Sequence, residues 1–130
     1  MAEPLWISEE VVRAIHEAQI EQHGGSLGIR DENLLAASLA RPRHWFTYTE
    51  ASLFELAAAY GYGLAKNHPF IDGNKRTAFA VMGTFLLVNG YLLEVQDREV
   101  VQMMERLATD EENQDSLAQW LEKNSISTVL

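Results

Sequence analysis

Asn67-His68-Pro69-Phe70-Ile71-Asp72-Gly73-Asn74-Lys75-Arg76-Thr77 is the stretch that decides how this chain is read. An apolar run, Ala78 to Val88, follows at once and stops at Asn89-Gly90. Pro69 disfavours helical angles at the residue before it, so a helix entering the stretch ends near Asn67. Asp72, Gly73 and Asn74 are loop and cap residues, and one of them opens the next helix. The unpartnered N–H groups at such a start, together with the helix dipole, favour a bound anion. Lys75 and Arg76 then fall in the first turn, where the dipole opposes cations; a phosphate at the same point reverses that balance. His68 carries the side chain best suited to accept a proton at neutral pH. Asp72 suits a hard cation such as Mg²⁺, which binds through one or two carboxylates plus substrate phosphates. The stretch is not the end of a Walker-type phosphate loop. Arginine rather than serine or threonine follows the lysine, and no upstream glycine stands at the required offset.

Just upstream, Ser52-Leu53-Phe54-Glu55 forms a capping box and opens a helix that runs to about Asn67. It carries Ala57-Ala58-Ala59, Gly61, Gly63 and Ala65, small side chains that let a neighbouring helix come close. Glycines inside a helix cost about 1 kcal/mol each against alanine, which close packing offsets. The expected neighbour is the helix after the motif, with Ala78, Ala80 and Gly83 among Phe79, Val81, Met82, Phe85, Leu86 and Val88. That helix is apolar nearly all round and reads as the buried centre of the domain.

Further out, Asp31 caps a helix through Leu34, Leu35, Leu39 and Ala40, which Pro42 is expected to end. The aromatic stretch after it, Trp45-Phe46-Thr47-Tyr48, reads as a loop packed on the core. A first helix spans Ser8 to His23, with Ser8 as cap, Glu9 and Glu10 in the first turn, and Val11, Val12, Ile15, Ala18 and Gln19 at helical spacing. Gly24-Gly25 stops it. His16 and His23 have no carboxylate or cysteine at ligand spacing and read as surface or helix-end residues. Downstream, Tyr91 to Val95 is short and extended. Asp97 caps a helix with Val100, Val101, Met104 and Leu107 inward, Met103 and Met104 being core filler. A last helix, Asp115 to Lys123, places Leu117, Trp120 and Leu121 on one face. Residues 125–130 read as a frayed tail. The fold expected is all-α: one domain over residues 1–124, with about six helices around one buried central helix.

The bulk numbers exclude several classes. With 130 residues and 47% hydrophobic content, one soluble globule is expected. The absence of cysteine excludes disulfides, thiolate metal sites and a cysteine nucleophile. A net charge of −9 opposes direct binding to nucleic-acid backbone. Nine acids and three bases between Glu94 and Asn124 supply −6 of that −9, as a solvated face or a docking face for a basic partner. No apolar run is long enough to cross a membrane, and the acidic Met1-Ala2-Glu3-Pro4 start is no signal peptide, so a cytoplasmic location is expected.

The motif resembles the Fic/Doc (Fido) superfamily, whose core pattern is His-x-Phe-x-(Asp/Glu)-Gly-Asn-Gly-Arg-x-x-Arg. His68, Phe70, Asp72, Gly73, Asn74 and Arg76 match it. Lys75 stands where AMP-transferring members have glycine, and Phe79 where they have a second arginine. Asn74-Lys75-Arg76-Thr77 looks instead like the Doc branch, the death-on-curing toxins of type II toxin–antitoxin pairs. That resemblance implies a kinase using ATP and Mg²⁺, with the nucleotide reversed so that its γ-phosphate meets the attacking hydroxyl. The acceptor it implies is a threonine or serine of a translation factor, elongation factor Tu, whose modification halts translation. By the same resemblance His68 is the base, Asp72 binds Mg²⁺, Gly73, Asn74, Lys75 and Arg76 hold phosphate, and Phe70 anchors the loop. Trp45, Phe46, Thr47 and Tyr48 would form a target-binding flap. The alternatives are a Fic-type AMP or other nucleotidyl transferase, and a non-catalytic antitoxin-binding module. The inhibitory pattern of many Fic enzymes, Ser/Thr-x-x-x-Glu-Gly/Asn, does not occur in these residues. Restraint is therefore expected from a separate antitoxin whose helical segment fills a groove, either at Ser8–His23 or at Trp45–Tyr48.

Overall fold

A computed structural model of the chain describes residues 2–129. The elements are α1 (Glu9–His23), α2 (Glu32–Tyr48), α3 (Leu53–Asn67), α4 (Asn74–Val88), β1 (Tyr91–Leu93), α5 (Asp97–Ala108), α6 (Gln114–Lys123) and β2 (Ser125–Ser127). Short polar residues start four of the helices. Ser8, Asp31, Ser52 and Asn113 each accept a hydrogen bond from a first-turn N–H, which satisfies a donor the helix itself leaves free. Ser52 with Glu55 completes the capping box.

The bundle surrounds a central helix, but that helix is α3 rather than α4. It buries nine of its 15 residues and packs against α2, α4, α5 and α6. Alternating large and very small side chains let it do so. Gly61 leaves room for the Met82 side chain of α4, with which any β-carbon there would collide. Gly63 faces the Ser38 backbone of α2 at 3.3 Å from where a β-carbon would sit, so the small residues admit two neighbours and not one. Gly83, by contrast, faces open space. Although apolar, α4 leaves Leu87 and Val88 exposed near its end.

Three further expectations change. Helix α2 runs through Pro42 to Tyr48, so Trp45-Phe46-Thr47-Tyr48 is its last turn and not a loop. Pro42 has no N–H for the Ser38 carbonyl four residues back, and that carbonyl instead lies against Gly63 of α3. In α5, Met103, Met104 and Leu107 are buried while Val101 is 55% exposed. Residues 125–127 are not frayed: β2 pairs antiparallel with β1, Tyr91 opposite Ser127 and Leu93 opposite Ser125. The three-residue pairing is too short to show in periodicity, and the Thr128 N–H extends it to the Gly90 carbonyl at 2.9 Å. Among the described residues, no helix is long and apolar enough to cross a membrane.

Candidate active site

The loop between α3 and α4, residues 68–73, is held by its own side chains. Helix α3 ends on His68, which adopts a left-handed conformation, φ 50 and ψ 55. A residue carrying a β-carbon pays roughly 1–2 kcal/mol there. Pro69 thus ends the helix, but by a left-handed turn rather than an extended residue. Gly73, also left-handed at φ 77, is the N-cap of α4. Asn74 closes the loop: its Oδ1 accepts from the Phe70 N–H at 3.0 Å and its Nδ2 donates to the Phe70 carbonyl at 2.9 Å. Its side chain is therefore occupied. The backbone N–H groups of Asn74, Lys75 and Arg76 lack intrahelical partners by position, and no side chain caps them.

Asp72 accepts from the Gly73 N–H at 2.8 Å and from the Ser26 N–H at 3.2 Å, one on each carboxylate oxygen. Arg76 donates to the Gly24 carbonyl at 3.1 Å. These contacts bring residues 24–30, which the sequence marks only by the Gly24-Gly25 helix stop, alongside the motif. Ile29 bridges to Phe70, and the Ile71 N–H reaches the Gly28 carbonyl at 3.1 Å.

Beneath the loop, Phe70 is buried and stacks on His16, with ring centroids 3.9 Å apart and planes 6° from parallel. His16 is only 3% exposed, not a surface residue. Its Nε2 lies 2.8 Å from the Asp72 carbonyl, and since a carbonyl only accepts, Nε2 carries the hydrogen. The missed signal is the i, i+4, i+8 row Val12, His16, Ile20, which is the buried face of α1.

His68, Asp72, Gly73, Asn74, Lys75 and Arg76 all line one cavity of about 450 Å³. Its facing wall comes from α5: Val100, Val101, Met104 and Glu105. An uncapped helix start, two cations, an imidazole and a carboxylate thus face a wall that is apolar except for Glu105, in a space of ordinary small-ligand size. Among the described residues no three His, Asp or Glu cluster as a metal site. Mg²⁺ does not need such a cluster when phosphate supplies the remaining ligands, and each Asp72 oxygen keeps a lone pair beyond its one N–H contact. The donor set fits that ion.

Trp45, Phe46, Thr47 and Tyr48 do not join this site. Trp6 packs between Phe46 and Phe85, at 5.6 and 6.0 Å. Phe85 is roughly 16 Å along α4 from Asn74 at 1.5 Å per residue. The four residues therefore sit toward the far end of α4, and none lines the cavity. Phe79 points to α6, edge-on to Trp120 at 6.5 Å.

Fold and site together define a helical domain whose motif side chains gather in one cavity at the uncapped start of α4. The sequence pattern of the Fic/DOC family matches residues 6–86. Over 100 residues, 73% of this chain and 76% of the relative, the sequence is 42% identical to Toxin Doc of Mycolicibacterium smegmatis (strain ATCC 700084 / mc(2)155). Over 119 residues, 90% of this chain and 93% of the relative, it is 35% identical to Protein kinase doc of Escherichia phage P1. The chain belongs to the Fic/DOC family, and these relatives place it on the Doc branch.

Proposed function

We propose that the chain is a Doc-like toxin acting as a protein kinase. It moves the γ-phosphate of ATP to a threonine or serine hydroxyl of a translation factor, elongation factor Tu by family resemblance, and so stops translation in the cytoplasm. One observation carries this reading: the imidazole, the carboxylate, the two cations and the free helix start line a single cavity. The acceptor oxygen attacks the γ-phosphorus, the bond from that phosphorus to the β–γ bridging oxygen breaks, and ADP leaves. His68 takes the hydroxyl proton. The N–H groups of Asn74, Lys75 and Arg76, with the Lys75 and Arg76 side chains, hold the phosphate oxygens, and Arg76 exchanges the Gly24 carbonyl for one of them. The Asn74 side chain stays on Phe70 and acts by shaping the loop. Asp72 would hold Mg²⁺, which would neutralise charge on the phosphates. The α5 wall of Val100, Val101 and Met104 accommodates the nucleoside. Phe79, engaged with Trp120, offers no second cation to a triphosphate bound in the AMP-transfer direction.

The test is incubation with elongation factor Tu and Mg-ATP, followed by mass analysis of the factor. A phosphate adduct is expected, and an AMP adduct would overturn the kinase assignment in favour of nucleotidyl transfer. His68→Ala is expected to lower the rate by roughly 10²–10⁴-fold with the fold intact, and growth arrest on expression should disappear with it. Restraint comes from a cognate antitoxin whose disordered segment folds as a helix against this domain. Co-expression with the neighbouring reading frame checks that part: its product should co-purify and relieve arrest.

A further inference from the structure

Arg30 stands in the segment between α1 and α2, one residue before the Asp31 cap. Its side chain does not line the cavity and joins no ion pair among the described residues. It is spent on carbonyl groups. Nε donates to the His68 carbonyl at 2.7 Å and Nη2 to the Asn67 carbonyl at 2.8 Å. The Arg30 backbone N–H donates to the next carbonyl, that of Pro69, at 2.7 Å, and the Asp31 N–H to the same oxygen at 3.1 Å. Three consecutive carbonyls, 67 to 69, are thus gripped from one short segment.

The place of this grip is informative. The last carbonyls of a helix have no intrahelical partner, and the negative end of its dipole favours a cation. His68 carries a β-carbon, precedes proline and has φ 50, a conformation that persists only when its surroundings over-determine it. The guanidinium supplies that determination. Its planar fork spans the two carbonyls on either side of the His68 α-carbon and so restrains both peptide planes at once, which a single-point ammonium cannot do.

We propose that Arg30 is a positioning residue for His68, holding its backbone in the left-handed turn that presents the imidazole to the cavity. It touches neither nucleotide nor acceptor. The proposal rests on His68 being the base of the proposed transfer. Misplacing a catalytic group by about 1 Å is worth on the order of 10²-fold in rate.

The experiment compares wild type, Arg30→Ala and Arg30→Lys. For Arg30→Ala, kcat for phosphate transfer should fall on the order of 10–100-fold, while KM for ATP stays near wild type. Guanidinium ion added at millimolar concentration should recover part of the loss in Arg30→Ala and none in His68→Ala. Arg30→Lys should lie between Arg30→Ala and wild type. The ring resonances of His68, assigned by their absence from His68→Gln, should shift in Arg30→Ala in the protein without nucleotide. A wild-type kcat in Arg30→Ala, or an unmoved His68 ring, overturns the proposal. So does a parallel fall of kcat, ATP affinity and melting temperature, which would mark a general structural role. If Arg30→Ala does not fold, Arg30→Lys decides by the same two readouts. A wild-type protein that transfers no phosphate defeats the proposed function, whereas the ring resonances still report whether Arg30 sets the place of His68.

Discussion

His16 joins two jobs in one side chain. Its ring face supports Phe70, and its Nε2–H holds the Asp72 carbonyl, one bond system away from the carboxylate that suits Mg²⁺. Substitutions can separate the two. His16→Phe keeps the stack and abandons the carbonyl, a loss of about 0.5–1.5 kcal/mol for one hydrogen bond. His16→Gln keeps a donor and abandons the stack. His16→Phe should therefore lower stability in urea and weaken Mg-ATP binding, and His16→Gln should recover more of the binding than of the stability. Titration calorimetry beside urea unfolding checks this; equal nucleotide affinity in all three proteins would show that His16 has no bearing on the loop. The motif was legible at this scale as one cluster, because its residue types stand at fixed spacing, and its residues His68 and Asp72 to Arg76 line one cavity. The side-chain role of Asn74 was not. An amide holds phosphate or closes a loop equally well, and only the position of Phe70 shows that it closes the loop.

Helix α3 shows what an element adds. Its small residues were legible as sites of close approach, but not which neighbour each would admit. Tyr60, on the same helix, ties down the chain entering α1: its hydroxyl accepts from the Ile7 N–H at 3.0 Å and donates to the Ile7 carbonyl at 3.3 Å. Burial pushes the Tyr60 hydroxyl above its ordinary value of 10.0, outweighing the opposing effects of the Ile7 hydrogen bond and of Arg43. The folded-state value being raised, the stabilising contribution is complete below the unfolded value, near ~10, and is lost as pH rises through the folded one. Tyr60→Phe should be less stable than wild type at pH 8, yet its stability should fall less steeply above pH about 10. Urea midpoints at the two pH values measure both effects, and identical slopes would remove Tyr60 from the alkaline response.

At the scale of the molecule, both chain ends converge on Asn89-Gly90 after α4. Asn89 exchanges two hydrogen bonds with the backbone of Leu5, each 2.9 Å, and the Gly90 carbonyl receives the Thr128 N–H. The β1–β2 pair thereby closes the bundle on the side away from the start of α4. Ending the chain after Asn124 would leave β1 without its partner strand. The expected result is a melting temperature lower by roughly 3–8 °C, with phosphate transfer at 25 °C near wild type because no cavity residue is touched. An unchanged melting temperature would show that the strand pair adds no stability.

By itself the sequence determined the helical class, the caps that begin α1, α2 and α3, and the identity of the motif residues. These depend on local periodicity and on spacing within one stretch. Tertiary structure alone decided the rest. It made α3 the centre, because glycine at 61 and 63 admits one neighbour on each side. It carried α2 through Pro42 and so took the aromatic residues 45–48 away from the site. It buried His16 and brought residues 24–30 to the motif across a separation of about 40 positions in the chain, which no local pattern records. Such contacts depend on how close two backbones come, and that distance is set by every side chain packed between them.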